Sequence, residues 1–163
     1  MFSIAGCFVG AAQMMSEQHR QVLVVDDDPV VRSILGTALR QRSLLYDEAA
    51  DGAEAIRLLR ENAYAVVLLD IMMPGVNGFE VLDAIDPTAA NTPVVLVVSG
   101  ADRAVLERLD ARRIHGVVKK PFDPEEIASV VAACAEIRGR STFETMAFAT
   151  MMTGAPLIAF FKL

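Results

Sequence analysis

Four short apolar runs of this chain end in residues that could carry out metal or phosphate chemistry. The runs end at Asp26-Asp27, at Asp70, at Ser99 and at Lys119-Lys120. Carboxylates that lie close together repel one another, and they are hard to keep ionised without a compensating cation. A ligand set of oxygen atoms without His or Cys favours Mg²⁺, or Mn²⁺, over zinc. If the fold gathers these residues, the sequence predicts a divalent-cation site.

Such a site could form a phosphorylated carboxylate. A carboxylate beside Mg²⁺ can attack a phosphoryl group in line, while the metal and a lysine neutralise the transferring oxygens. A hydroxyl can donate one further hydrogen bond, and Ser99 and Lys120 have this chemistry. The product would be an aspartyl phosphate, a known class of covalent intermediate.

Five apolar runs alternate with amphipathic stretches, which predicts five strand–helix units. The predicted strands are Val22–Val25, Leu44–Ala49, Ala65–Leu69, Pro93–Val98 and Ile114–Val118. The predicted helices open at Asp28-Pro29, span Ala53–Leu59 and Phe79–Ile85, carry Val105, Leu106 and Leu109, and open again at Asp123-Pro124. We expect an α/β fold with a doubly wound five-stranded parallel sheet, flavodoxin-like strand order 2-1-3-4-5 and helices on both faces.

Helical spacing of apolar residues predicts the buried faces of the first and last helices. The first face consists of Val30, Val31, Ile34, Leu35, Ala38 and Leu39. The last consists of Ile127, Val130, Val131, Cys134 and Ile137.

Taken in order, these motifs resemble the response-regulator receiver family, and in particular single-domain, chemotaxis-regulator-like proteins of two-component signalling. The resemblance rests on Asp26-Asp27, Asp70 with its Met73-Pro74-Gly75 loop, Ser99, and Lys120-Pro121-Phe122, and it covers about Gln21 to Arg138. It implies a phosphoacceptor response regulator in a phosphorelay, which acts by phosphorylation-dependent partner binding. It implies no enzyme beyond self-catalysed phosphoryl transfer and slow autodephosphorylation.

The resemblance also implies the role of each site residue. Asp70 corresponds to the phosphoacceptor and a metal ligand, Asp27 to a direct ligand and Asp26 to a ligand acting largely through water. The backbone carbonyl of Met72 corresponds to a further ligand of Mg²⁺, and Mn²⁺ is expected to be able to substitute for this ion. Ser99 corresponds to the switch hydroxyl. Lys120 corresponds to the phosphate-sensing lysine, whose bond to Pro121 is usually cis in the family.

The implied partners are a sensor histidine kinase or histidine phosphotransfer protein and a downstream protein target. The target surface usually consists of the fourth helix, fifth strand and fifth helix, here roughly Asp102–Arg138. The net charge of −6 and a pI near 4.9 disfavour nucleic-acid binding, which needs a Lys/Arg surface. We expect a cytoplasmic protein with two reduced cysteines, Cys7 and Cys134.

Two features depart from the family pattern. Val117 occupies a position where many receivers carry an aromatic residue, so the usual switch that moves a ring is in doubt. Met72 and Ala101 stand two residues after Asp70 and Ser99, and neither side chain can orient an attacking water. We therefore predict slow self-hydrolysis of the phosphorylated protein.

Several residues near the site have simpler interpretations. Asp28 precedes Pro29 and is expected to cap a helix. Lys119 is expected to be solvated, because neighbouring residues of a strand point to opposite faces. His115 is expected to be an ordinary surface residue, and Met72 and Met73 are expected to pack within their loop.

The sequence predicts a domain at residues 21–138 with a leader before it and a tail after it. We expect residues 1–20 to be a leader that is disordered or only partly present in the native protein, whose synthesis would then begin at Met14 or Met15 and leave Ser16–Arg20 as a short polar leader. Residues 139–163 form an apolar tail, uncharged from Thr145 to Phe161 but interrupted by Gly154 and Pro156. The tail could pack on the domain or on a second copy, be disordered or artefactual, or attach to a membrane, the last being disfavoured. We expect no helix-turn-helix unit after the domain, because the 25 residues after Arg138 are too few for one. We also expect that the apolar tail can support a homodimer, because exposed apolar surface promotes association.

Two other functional classes stay open from the residues alone. One is a Mg²⁺-dependent phosphohydrolase, although such enzymes usually need extra domains or long loops. The other is a receiver-like docking module that is not phosphorylated, which the complete pocket set disfavours.

Overall fold

The computed structural model describes residues 22–89 and 91–139, and within them the chain forms five strands and five helices. In chain order the elements are β1 (Val22–Val25), α1 (Pro29–Gln41), β2 (Tyr46–Ala49), α2 (Gly52–Glu61), β3 (Val66–Leu69), α3 (Gly78–Ala84), β4 (Val94–Ser99), α4 (Arg103–Leu106), β5 (Gly116–Lys119) and α5 (Pro124–Gly139). The predicted alternation is therefore confirmed.

The five strands form one parallel sheet in the order β2-β1-β3-β4-β5. This is the predicted order. The winding direction reverses between β1 and β3, because the chain first adds β2 on one side of β1 and then moves to the other side. In open α/β sheets a crevice forms at such a reversal, outside the carboxyl ends of the strands.

Alternate residues of the three inner strands face two separate apolar cores. Val22, Val24, Val66 and Leu68 face the core beneath α1 and α5. Their neighbours in the strands face the core beneath α2 and α3, and these include Leu23, Val25, Val67 and Leu69. Both faces of β1 and β3 are thus buried, which explains why these strands read as continuous apolar runs instead of alternating ones.

Parts of the predicted core were wrong. On α1, Val30 and Ile34 are exposed, at 62% and 43%, whereas Leu35, Ala38 and Leu39 are buried. On α5, Ile137 is also exposed, while Ile127 and Val131 are buried. The apolar positions of these helices cover a wider arc than the part that contacts the sheet, so the outermost residues point to solvent.

The fourth helix is shorter than its apolar spacing predicts. α4 ends at Leu106, so the predicted member Leu109 lies beyond it, although Leu109 still packs against the second core. The Asp102 side chain makes no capping hydrogen bond to this helix.

The predicted leader, and the predicted tail beyond Gly139, lie outside the described residues, and the proposed division of the chain stays a prediction. Within 22–89 and 91–139, no helix has the length and apolar character required to cross a bilayer.

Candidate functional site

The acidic residues meet where β1 and β3 end side by side. Val25 pairs with Leu69, and the next backbone link is a 2.9 Å hydrogen bond from the Asp70 N–H to the Val25 carbonyl. Asp26 and Asp70 therefore leave the sheet at the same level. Both are buried, at 2% and 6% exposure, although they carry carboxylates.

Lys120 joins these two carboxylates from the end of β5. Its Nζ lies 2.6 Å from Asp26 Oδ2 and 2.6 Å from Asp70 Oδ2. Lys119 is exposed, as predicted from strand geometry, so the lysine next to Pro121 is the one that enters the site. The Lys120–Pro121 peptide bond is cis, as the family resemblance implies.

The second oxygen of Asp70 is held by β4 and by its own loop. Ser99 Oγ donates a 2.9 Å hydrogen bond to Asp70 Oδ1, and the Met72 N–H donates another of 2.9 Å to the same atom. Ser99 is fully buried, and its Oγ also accepts a 3.3 Å hydrogen bond from the Ala101 N–H. Asp70 therefore has a fixed orientation, with a hydroxyl on one oxygen and an ammonium on the other.

Burial and charge act in opposite directions on the ionisable groups of the site. Burial raises the pKa of the Asp26 carboxyl, and hydrogen bonds from Lys120 and the Asp28 N–H offset only part of that rise. For Lys120, burial acts to lower the pKa, but its hydrogen bonds to Asp26 and Asp70 and their charges prevail and raise it. The lysine therefore stays a cation between two acids.

The third acid completes a set with the chemistry of a hard-cation site. Asp26, Asp27 and Asp70 each offer a carboxylate oxygen, and these oxygens lie within 4.8 Å of one another. Two of the acids are buried and Asp27 is exposed, so the cluster opens to solvent on one side. An all-oxygen set without His or Cys fits Mg²⁺. The residues present therefore fit the predicted ion, and the five side chains predicted for the site come together.

The structure adds a residue that sequence reasoning missed. Arg32 on α1 donates a 2.6 Å hydrogen bond from Nη1 to the backbone carbonyl of Asp26, and its Nε lies 3.3 Å from Glu48 Oε2. An isolated arginine in an amphipathic helix carries no motif, so the sequence offered no signal for this contact.

Nearby residues mostly behave as predicted. Asp28 caps α1 by accepting a 2.8 Å hydrogen bond from the Val30 N–H. His115 is exposed, and its Nδ1 accepts a 3.1 Å hydrogen bond from the Val95 N–H. Met73 is buried as predicted, but the expectation that Met72 packs in the loop was wrong, because its side chain is 58% exposed.

Val117 lies on β5 and pairs with Val97. It is half-buried and packs against the second core. The position therefore holds a compact aliphatic side chain instead of a ring that could change its exposure.

Comparison with known proteins agrees with this geometry. Residues 22–132 match the family described as the response regulator receiver domain. The chain is 35% identical over 120 residues to the transcriptional regulatory protein ResD of Bacillus subtilis, which covers 74% of this chain and 50% of ResD. It is 32% identical over 113 residues to SrrA of Staphylococcus aureus, covering 69% of this chain and 46% of SrrA. The chain thus spans about half the length of these relatives.

Solved structures give the same result. The receiver domain of the Francisella response regulator 1452 is 28% identical, with a TM-score of 0.64, and the match covers 73% of this chain and 98% of that one. The response regulator TrrA of Thermotoga maritima, solved in complex with Mg²⁺-BeF, is 28% identical with a TM-score of 0.62, covering 71% and 98%. Receiver domains are signalling domains, and this chain belongs to the response regulator receiver domain family.

Proposed function

We propose that Asp70 of this chain accepts a phosphoryl group, with Mg²⁺ held by Asp26, Asp27, Asp70 and the backbone carbonyl of Met72. The observation that carries the proposal is the contact of Lys120 Nζ with Asp70 Oδ2 at 2.6 Å, beside three carboxylates within 4.8 Å of one another. Mn²⁺ prefers similar oxygen ligands, and we propose that it can substitute.

In the proposed step, a carboxylate oxygen of Asp70 forms a bond to phosphorus. The bond between phosphorus and the leaving nitrogen or oxygen of the donor breaks, and the donor keeps the electron pair. Ser99 and Lys120 donate hydrogen bonds to the two oxygens of Asp70, so both donors lie beside the incoming group. Bound Mg²⁺ supplies positive charge that offsets the negative charge on the transferring oxygens.

The burial of Asp70 also fits this role. A carboxylate that is 6% exposed and held at both oxygens does not need to be ordered before it attacks. Positioning a nucleophile in advance lowers the entropic part of the barrier. A buried site also strengthens the interaction of the lysine with developing charge.

The proposed donor is a sensor histidine kinase or a histidine phosphotransfer protein. The proposed target is a protein that binds the surface at about Asp102–Arg138. A hollow of about 540 Å³ supports this surface, since it is lined by residues of β5, of the following loop and of α5, including Val117, Phe122 and Val130 respectively. Absence of nucleic-acid binding, cytoplasmic location and homodimer formation stay predictions.

Phosphorylation by acetyl phosphate tests the proposal. The purified chain is incubated with acetyl phosphate and Mg²⁺, and intact mass is measured for wild type and Asp70→Asn. We expect wild type to gain the mass of one phosphoryl group, the variant to gain none, and EDTA to abolish the gain. No gain in wild type, or an equal gain in the variant, would refute the proposal.

A parallel incubation with a phosphate ester and Mg²⁺ separates a regulator from a phosphohydrolase. A regulator forms at most one acid-labile phosphoryl group per chain on the time scale of labelling. A phosphohydrolase would release many equivalents of phosphate from a phosphate ester without accumulating a phosphorylated protein.

A further inference from the structure

Arg32 connects three parts of the chain beneath the acidic site. It is the fourth residue of α1, and its guanidinium reaches the Asp26 carbonyl at the end of β1 and the Glu48 carboxylate on β2. Its side chain is 15% exposed. The hydrogen bond to the Asp26 carbonyl is therefore partly buried, whereas the contact with Glu48, whose side chain is 40% exposed, lies at the surface.

The hydrogen bond to Asp26 fixes a peptide unit at the site. The carbonyl of Asp26 belongs to the Asp26–Asp27 peptide and accepts a hydrogen bond from Arg32 at 2.6 Å. The N–H of Asp26 belongs to the preceding peptide and donates to the Ala49 carbonyl at 3.2 Å. A peptide unit is planar, so fixing the carbonyl of residue 26 also fixes the direction of the N–H and Cα of Asp27. Asp27 is the exposed acid of the cluster, and the Cα that carries its carboxylate belongs to this peptide unit.

We propose that Arg32 is a positioning residue that orients the Asp26–Asp27 peptide and thereby holds these two acids in register for a divalent cation. The inference rests on the proposed function, because the cation concerned is the Mg²⁺ of the phosphorylation site. Arg32 is not a catalytic residue in this account, since it acts through backbone and touches no reacting atom.

The charge of Arg32 and its hydrogen bond should change the affinity for Mg²⁺ in opposite directions. A guanidinium near an acidic cluster repels a divalent cation, so its removal would tighten Mg²⁺ binding if charge alone mattered. Loss of the hydrogen bond frees the peptide and loosens the acids, which weakens binding. Mutation of a group that orients metal ligands typically lowers metal affinity by about 10- to 100-fold. The sign of the change therefore distinguishes positioning from charge.

The test is a Mg²⁺ titration followed by the amide NMR signals of folded protein, with Arg32→Gln, Arg32→Lys and Arg42→Gln compared with wild type. Arg42 follows the last residue of the same helix, at the end opposite to the acids, and lies 3.8 Å from Glu125, so Arg42→Gln removes the same charge away from the acids. We expect the Kd for Mg²⁺ to rise about tenfold in Arg32→Gln, at the lower end of the range above because Arg32 acts through backbone. Arg32→Lys should show a smaller rise, and Arg42→Gln none.

Signals from the folded state report affinity directly, so a partly destabilised variant can still be measured. If Arg32→Gln does not fold, Arg32→Lys still tests the proposal. Lysine keeps the positive charge but lacks the guanidinium that contacts the Asp26 carbonyl and Glu48 at the same time. Equal or tighter Mg²⁺ binding in the Arg32 variants, with normal binding by wild type, would overturn the inference alone. Failure of wild type to bind Mg²⁺ would overturn the proposed function and the inference with it.

Discussion

Lys120 Nζ and Asp70 Oδ2 lie 2.6 Å apart, which joins the ends of β5 and β3 across the intervening strand β4. The same ammonium contacts Asp26 at equal distance. One cation thus neutralises part of the charge of two buried acids before any metal or phosphoryl group arrives.

Replacing this lysine is expected to destabilise the metal-free protein. Lys120→Met leaves the buried carboxylates of Asp26 and Asp70 without their cationic partner, and loss of one partner from a buried ion pair typically costs about 3–5 kcal/mol. We expect about 3 kcal/mol, at the lower end of this range because the Lys120 side chain keeps 22% exposure. Urea unfolding in EDTA measures the loss, with Lys119→Met as the matched control at an exposed neighbour.

Lys120→Met should also tighten Mg²⁺ binding, because the ammonium no longer competes for the carboxylates. Equal stability of the two methionine variants, or unchanged Mg²⁺ affinity, would show that the contact contributes little.

The stability of the metal-free protein should respond to the neutralisation of Asp26. Burial raises the pKa of this carboxyl, so its ionised form disfavours the folded state. That penalty is fully present above the folded pKa and disappears as the pH falls below the unfolded one. Asp26→Asn should therefore raise the thermal midpoint in EDTA near neutral pH, and the gain should shrink as the pH falls.

In saturating Mg²⁺ the comparison should reverse. A ligand that binds only the folded state stabilises it by about 2.7 kcal/mol at one hundred times its Kd. Wild type gains this stabilisation and Asp26→Asn loses part of it. A gain from Asp26→Asn that is independent of both pH and Mg²⁺ would contradict the assignment of the penalty to this carboxyl.

The backbone that carries Asp70 tolerates no side chain at Gly78. A Cβ there would clash with the carbonyl oxygen of Asp70 and lie 2.6 Å from Ile71 Cα. Both atoms belong to backbone, so the loop after β3 must move, and overpacking of this kind typically costs about 1–3 kcal/mol.

Gly78→Ala should therefore lower both stability and the rate of phosphorylation of Asp70. At Gly100 the nearest atom to an added Cβ is Lys120 Cβ at 3.9 Å, an ordinary contact. Gly100→Ala is thus the control and should keep its urea midpoint. Similar losses in the two variants would argue against a specific clash.

The lifetime of the phosphorylated protein should depend on residue 72. The Met72 side chain is 58% exposed and lacks a group that could orient water, and the buried Ala101 lacks one as well. Wild type should therefore lose its phosphoryl group over minutes or longer. Met72→Asn should shorten the lifetime about tenfold, a modest part of the 10²-fold or more that a full general base supplies.

Decay of the phosphorylated form, followed by intact mass after removal of the donor, measures this lifetime. Met72→Leu is the control and should decay at the wild-type rate. A wild-type half-life of seconds, or identical decay of all three proteins, would contradict the explanation.

The main architecture could be predicted because the strands are buried on both faces. Val22–Val25 and Val66–Leu69 are apolar throughout, and the residues that follow them are charged, so both the strand and its end are visible in the sequence. Parallel strands then bring Asp26 and Asp70 to one edge. The gathering of the site follows from topology alone.

Other features depend on contacts between elements and could not be predicted. Helical periodicity identifies an apolar arc but not its centre, so Val30 and Ile34 were placed in a core that they do not reach. Met72 and Met73 are chemically identical neighbours, and only the path of the loop exposes one and buries the other. Arg32 acquires its position from α1 packing beside β1 and β2, which no local pattern records.

The position of the phosphoryl group on the chain decides whether Asp70 is the phosphoacceptor. The chain is treated with acetyl phosphate and Mg²⁺, the aspartyl phosphate is reduced with borohydride, and the modified residue is identified by peptide mass spectrometry. We expect modification at Asp70 alone, because this carboxylate contacts both Ser99 and Lys120. Modification at Asp26 or Asp27, or none at any residue, would contradict it.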